Sequence, residues 1–197
     1  MIEILRKIIV NILTALYQPF GFAVILTILF MAVYIFAREY GWKEIVKRWI
    51  VEFKMSITFR RLFLLTFYTA MILFRTLLTR YIWENPLANV IGTWGLYSEN
   101  GELTTECLEN IALFTPFTVL LLWSLQEKVI EKKSPFFLIL WKSVQITFLF
   151  SLMIELAQLF FRLGTFQLSD LFYNTLGGFL GGLIYWCGYK LTHRKQD

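Results

Sequence analysis

Glu155, Gln158 and Arg162 recur at i, i+3 and i+7 inside an otherwise apolar run, so a helix places all three on one face. Asp170 and Asn174, at i and i+4, share a face at the start of the next apolar run. The chain reverses between the two runs, near Gly164. At about 1.5 Å per residue, Glu155 lies roughly 10 Å below Arg162, and Asn174 roughly 6 Å below Asp170. The two polar faces therefore reach similar depth and converge. Arg75 and Asn110 stand in two further apolar stretches. Guanidinium forks grip phosphate, pyrophosphate or carboxylate groups, and a carboxylate whose pKa is raised by burial serves as a general base. An isolated charge at the centre of a bilayer costs roughly 2.5–3.5 kcal/mol on insertion scales, so these groups must meet one another or a wet cavity. The pairings expected are Arg75 with Glu155 and Arg162 with Asp170.

The elements that position these groups are helices in a membrane. The chain has 197 residues, 57% of them hydrophobic and 18% aromatic, with a mean hydropathy of +0.60. These values describe an integral membrane protein with no room for a soluble domain. The sequence predicts an all-α, polytopic membrane helix bundle of about five transmembrane helices, at 20–37, 61–80, 107–126, 136–163 and 171–189, with two amphipathic interfacial helices. The first interfacial helix, residues 2–17, has a narrow polar face and ends at Pro19 and Gly21. The second, residues 41–58, sets Ile45, Val46, Trp49, Ile50 and Phe53 opposite Lys43, Glu44, Lys47, Arg48 and Lys54. It reads as a basic helix on an anionic leaflet or, alternatively, as a solvated linker. Pro116 is expected to bend its span, with Thr115 beside the freed backbone groups.

The net charge of +5 is distributed as in a membrane protein and does not point to nucleic acid. Segment 38–61 carries seven basic residues, the 127–142 loop four and the tail three, against Arg6, Lys7, Arg80 and Arg162 in the intervening segments. The positive-inside rule makes the first set cytoplasmic. The N-terminus, the glutamate-bearing 81–106 loop and the 163–169 turn then lie outside, together with all the candidate site residues. A re-entrant hairpin about Pro19, with the N-terminus inside, is the alternative. The sequence contains neither CxxC nor HExxH, and no cofactor or metal is expected. A divalent cation held by Glu155, Asp170 and amide oxygens is a minor variant. Gly177 with Gly181, and Gly178 with Gly182, form two small-residue stripes suited to close packing against the fourth span or, alternatively, in a homo-oligomer. Trp83, Trp94 and Tyr97 are read as an interfacial belt or a loop covering the cavity.

The motif E-x-x-Q, the turn at Gly164, the polar segment ending at Asp170 and the run N-T-x-G-G-F-L-G from Asn174 together resemble the signature of the VanZ-like family of bacterial membrane proteins. ENIALFTPF at 109–117 resembles a further segment of that family, N-x-x-x-F-x-P-F. Gln167 and Ser169 stand where similar proteins often carry additional acids. The resemblance covers about residues 61–190. It divides the chain into an extension at 1–60, a four-helix domain at 61–190 and a basic tail at 191–197. It implies a multi-pass protein of the bacterial cell membrane that lowers susceptibility to teicoplanin-type antibiotics. The expected partners are membrane lipid and a lipid-linked cell-wall precursor or lipoglycopeptide. The candidate ligand-binding residues are Arg75, Asn110, Glu155, Gln158, Arg162, Asp170 and Asn174. Two other readings stay open: a structural or assembly subunit whose polar cluster only packs helices, and an intramembrane hydrolase or transferase using Glu155 or Asp170. The second lacks a His in any span.

Overall fold

The computed structural model describes residues 2–17, 20–36, 41–78, 85–98, 100–125, 135–161 and 164–193. Among the described residues seven α-helices run in chain order: α1 (Ile2–Tyr17), α2 (Phe20–Phe36), α3 (Trp42–Met55), α4 (Ile57–Leu73), α5 (Glu106–Ser124), α6 (Phe136–Phe161) and α7 (Leu168–His193). A five-residue π-helical turn, Phe74–Leu78, extends α4. No strand occurs among the described residues; the nearest approach is an isolated bridge between Tyr97 and Leu103. Arg162 and Arg80 lie outside the described residues.

Among the described residues three helical stretches are long and apolar enough to cross a membrane: Ile57–Leu77, Glu106–Ser124 and Phe136–Phe160. The stretch Ala23–Ile35 is apolar but shorter. α7 has the length, 26 residues, but its glycines and polar first turn lower its hydropathy. Its environment accounts for this composition, since α7 packs against both α5 and α6 and its small residues face them.

The glycine stripes show how close that packing is. A Cβ at Gly177 would lie 2.8 Å from the Ile111 carbonyl oxygen, and one at Gly181 2.5 Å from that of Thr115, both on α5. One at Gly178 would collide with Thr147, and one at Gly182 with Ser143, both on α6. The two stripes therefore receive two different helices of the same chain. Thr115, beside Pro116, donates its hydroxyl to the Ile111 carbonyl at 2.8 Å and to the Gly177 carbonyl at 3.2 Å, tying the Pro-containing stretch of α5 to α7.

A core of Ala23, Ala70, Met71, Ile72, Leu113, Phe114, Phe117 and Ile154 joins α2, α4, α5 and α6. A smaller one, Met31, Ile35, Ile45 and Phe59 with Trp49 and Phe53 against it, sets α3 across one end of α2 and α4. The corner is sharp because Ser56 ends α3 and caps α4, accepting the Phe59 amide at 3.1 Å. Arg60 then reaches back to the final carbonyls of α3, Phe53 at 3.1 Å and Lys54 at 2.8 Å. Only Ile45, Trp49 and Phe53 of the expected apolar face turn inward, while Val46 and Ile50 are exposed. α1 lies at the opposite end: Asn11 donates to Thr105, just before α5, at 2.7 Å. That contact sets α1 beside the loop that leads into α5.

Candidate functional site

Glu155 emerges from the buried face of α6 and is only 2% exposed. Its Oε2 accepts the backbone amide of Gln167 at 2.8 Å, just before α7 begins. Asp170, in the first turn of α7, is 5% exposed. Its Oδ1 accepts from the Asn110 side chain, on α5, at 2.8 Å. An acid near an α-helix N-terminus is also favoured by the helix dipole. One turn deeper, Asn174 donates to Ser151 at 2.8 Å. One turn above Glu155, Gln158 donates to the Thr76 carbonyl at 2.9 Å. Thr76 lies in the π-helical turn, where the regular backbone ladder is interrupted, so the Gln158 amide meets a carbonyl in the altered register.

Arg75 occupies the same turn. Its guanidinium donates to Glu109 Oε2 at 3.2 Å and forms an ion pair with that residue. Glu155 and Asp170 are the carboxylates the sequence sets opposite Arg75; the ion pair described for it is with Glu109. The first turn of α5 is level with the end of α4 and brings Glu109 to the guanidinium, whereas α6 meets the π turn at the Thr76 carbonyl. Glu109 is held on its other side as well. Thr105 donates its hydroxyl to Glu109 Oε1 at 2.6 Å and receives the Asn11 amide at 2.7 Å. The order of donors is forced, because the ionised carboxylate only accepts and the Thr105 proton must go to it. Consecutive residues join this relay to the acid cluster: Glu109 with Asn110 on α5, and Arg75 with Thr76 in the π turn.

The expected partnership of Arg162 with Asp170 falls outside the described residues. Of the remaining candidates, Asn110 bonds Asp170 from α5 to α7, Glu155 and Asn174 tie α6 to α7 and the residue before it, and Gln158 bonds the π turn that carries Arg75. The sequence reading missed Glu109, Thr105, Asn11, Ser151 and the Gln167 amide. Ser151 was visible in principle, because Ser143, Thr147, Ser151 and Glu155 recur every fourth residue and all four are buried.

The cluster has more acceptors than it uses. Gln158 Oε1, Gln167 Oε1 and Asn174 Oδ1 are buried and find no hydrogen-bond partner among the described residues. A buried amide oxygen without a donor costs roughly 1–3 kcal/mol. Such atoms mark places where a ligand or water supplies the missing donor. Among the described residues no three of His, Cys, Asp and Glu come together as a metal centre would require.

The loop after the π turn closes over the start of α7. The amides of Phe166, Leu168 and Ser169 donate to the carbonyls of Pro86, Val90 and Ile91 at 2.9, 2.9 and 3.3 Å. Gly92 has φ +74°, and a Cβ there would overlap Ser169, so only glycine allows this approach. Trp94 packs on Phe172 and Tyr173, with ring centroids 5.3 and 5.8 Å away. The Tyr173 hydroxyl accepts the Gly95 amide at 2.8 Å. Trp94 and the preceding loop therefore cover the end of the bundle where the acids lie.

Among the described residues the fold is all-helical with three membrane-capable helices, and its buried acids and amides gather at one end. A family model described as VanZ/LLP1 matches residues 22–189, and the chain belongs to that family. The match begins well before residue 61, so it takes in α3 and most of α2; α1 precedes it. The chain is similar to Protein VanZ of Enterococcus faecium, with 32% identity over 91 residues, 46% of this chain and 50% of that protein. It thus spans about half the length of the curated relative it matches. No solved structure matches it.

Proposed function

We propose that the protein is a multi-pass component of the bacterial cell membrane that lowers susceptibility to teicoplanin-type glycopeptides. In this reading it binds a lipid-linked cell-wall intermediate, or the lipoglycopeptide itself, at the outer leaflet. About five helices cross the bilayer: the three membrane-capable stretches with α2 and α7. Segment 61–190 carries the ligand site. Family membership supports the area of function. The observation that carries the binding reading is the set of unsatisfied amide oxygens of Gln158, Gln167 and Asn174 around Glu155 and Asp170. A cluster that only fastened helices would leave no such acceptors, since satisfying them is how polar groups hold helices together in lipid.

Glu155→Gln tests this. The amide oxygen of glutamine still accepts from the Gln167 backbone, so the fastening role survives while the charge is lost. The expected result is normal folded yield and thermal stability in detergent, with loss of the teicoplanin phenotype; Asp170→Asn behaves alike. Full function in both variants would leave only the fastening role. The membrane orientation has its own check: a cysteine at Ser98 is labelled from outside the cell, and one at Lys54 is not.

A further inference from the structure

α1 precedes the segment that matches the family, yet it helps to form a cavity of about 490 Å³. The lining is Glu3, Ile4, Arg6, Lys7, Val10 and Asn11 of α1 with Leu103 of the covering loop. The helix presents three distinct flanks. Ala15, only 1% exposed, and Leu16 face the bundle, and Leu16 packs on the main core. Ile2, Leu5, Ile9 and Leu13 form an exposed apolar stripe on another side. The cavity lies along the remaining flank, with Asn11 at its edge and fastened to Thr105. An amphipathic helix with an exposed apolar stripe lies in the membrane interface, at the level of the lipid head groups. The groove therefore opens where head groups are.

Its chemistry selects among them. Arg6 and Lys7 outnumber Glu3, leaving the lining with one net positive charge. A phosphodiester fits the two cations. Glu3 and the Asn11 carboxamide oxygen are acceptors, suited to the hydroxyls of a polyol head group rather than to a second anion. Ile4, Val10 and Leu103 supply an apolar wall for the glycerol backbone and the start of an acyl chain.

We propose that this groove is a binding site for an anionic, hydroxyl-bearing phospholipid of the phosphatidylglycerol type, separate from the acid cluster of α5–α7. Lipid bound there leans on α1, whose Asn11 is linked through Thr105 and Glu109 to Arg75.

The test uses full-length protein in phosphatidylcholine vesicles containing a trace of photoactivatable phosphatidylglycerol, with adducts mapped by peptide mass spectrometry. Adducts are expected within residues 2–17 and at Leu103. Unlabelled phosphatidylglycerol should displace them and further phosphatidylcholine should not. Arg6→Gln with Lys7→Gln should lower adduct yield at these positions about thirtyfold, since each basic residue contributes about 1 kcal/mol near an anionic head group. Both side chains are exposed, so unfolding is not expected, and a detergent melting curve checks this; if the double variant melts early, Lys7→Gln alone is used, with a smaller loss expected. Glu155→Gln should leave these adducts unchanged, which separates this site from the proposed ligand cluster. Adducts confined to α3 or elsewhere, equal competition by phosphatidylcholine, or undiminished yield in a folded variant would each overturn the proposal.

Discussion

The α6–α7 interface has two halves that use polarity in opposite ways. In the lower half, Ser143 and Thr147 face Gly182 and Gly178. Their side chains are short and fully buried, and their hydroxyls are satisfied close by: Ser143 by the Ile139 carbonyl at 2.7 Å, Thr147 by Thr118 at 2.9 Å. Polar atoms here cost little and let the backbones approach. In the upper half the side chains are long, with Glu155 and Gln158 on α6 and with Asn174 and Asp170 in place of glycines on α7. Gln158 and Asn174 each leave an amide oxygen without a donor among the described residues. The lower half is built for close helix contact, and the upper half gathers polar atoms that need a further partner.

The comparison breaks most severely at Gly181. Leucine there must displace the Thr115 carbonyl and Thr118 together. Because backbone cannot give way as a side-chain tip does, the loss should be about 3 kcal/mol or more. Thermal unfolding in detergent measures it, and an unchanged melting point would show that the α5–α7 contact is looser than the geometry requires.

A smaller effect is expected where the covering loop meets α7. Gly92→Ala combines a positive φ with overlap on Ser169 and should cost about 1–3 kcal/mol locally. Hydrogen exchange at the amides of Leu168 and Ser169 should accelerate, while exchange in α6 stays unchanged.

Asn174→Ala sharpens the contrast from the other side. It removes the bond to Ser151 together with one unsatisfied oxygen, so the stability change should be near 0.6 kcal/mol, the average for a polar contact between membrane helices. The same substitution should impair function if the upper half holds a ligand. The smallest effect belongs to Gly188→Ala: nothing lies within 4 Å of the added methyl, and its higher helix propensity should leave stability equal or slightly raised.

Much of this difference was legible in the sequence. The i, i+3 spacing of Glu155 and Gln158 and the i, i+4 spacing of Asp170 and Asn174 assign each pair to one face, and both faces proved buried. The doubled glycine stripe was equally plain, but the expected contact with the fourth span holds only for Gly178 and Gly182, while Gly177 and Gly181 meet α5. α3 was read as a single run to residue 58, because Ser56 acts as a boundary only through caps that form in three dimensions. Glu109 was passed over although it stands beside Asn110 in the quoted segment. An acid in a helix's first turn ordinarily needs no partner beyond the helix dipole, and only the fold brings Arg75 to it. The Gln167 amide could not be found from residue types at all, since every residue but proline offers one.

The π-helical turn at Phe74–Leu78 has a consequence for how the span it ends is counted. A π turn accommodates one residue more than an α turn, so side chains beyond it are rotated by about 100° from where α-helical periodicity would set them. A helical wheel drawn over 61–80 as one regular helix is therefore in phase for Ala70 and Met71 and out of phase by the end of the turn. Deleting a single residue within 74–78 would restore the phase and carry Thr76 away from Gln158, although it removes no side chain from the acid cluster. The angular setting of that cluster against α4 thus depends on one surplus residue in the backbone.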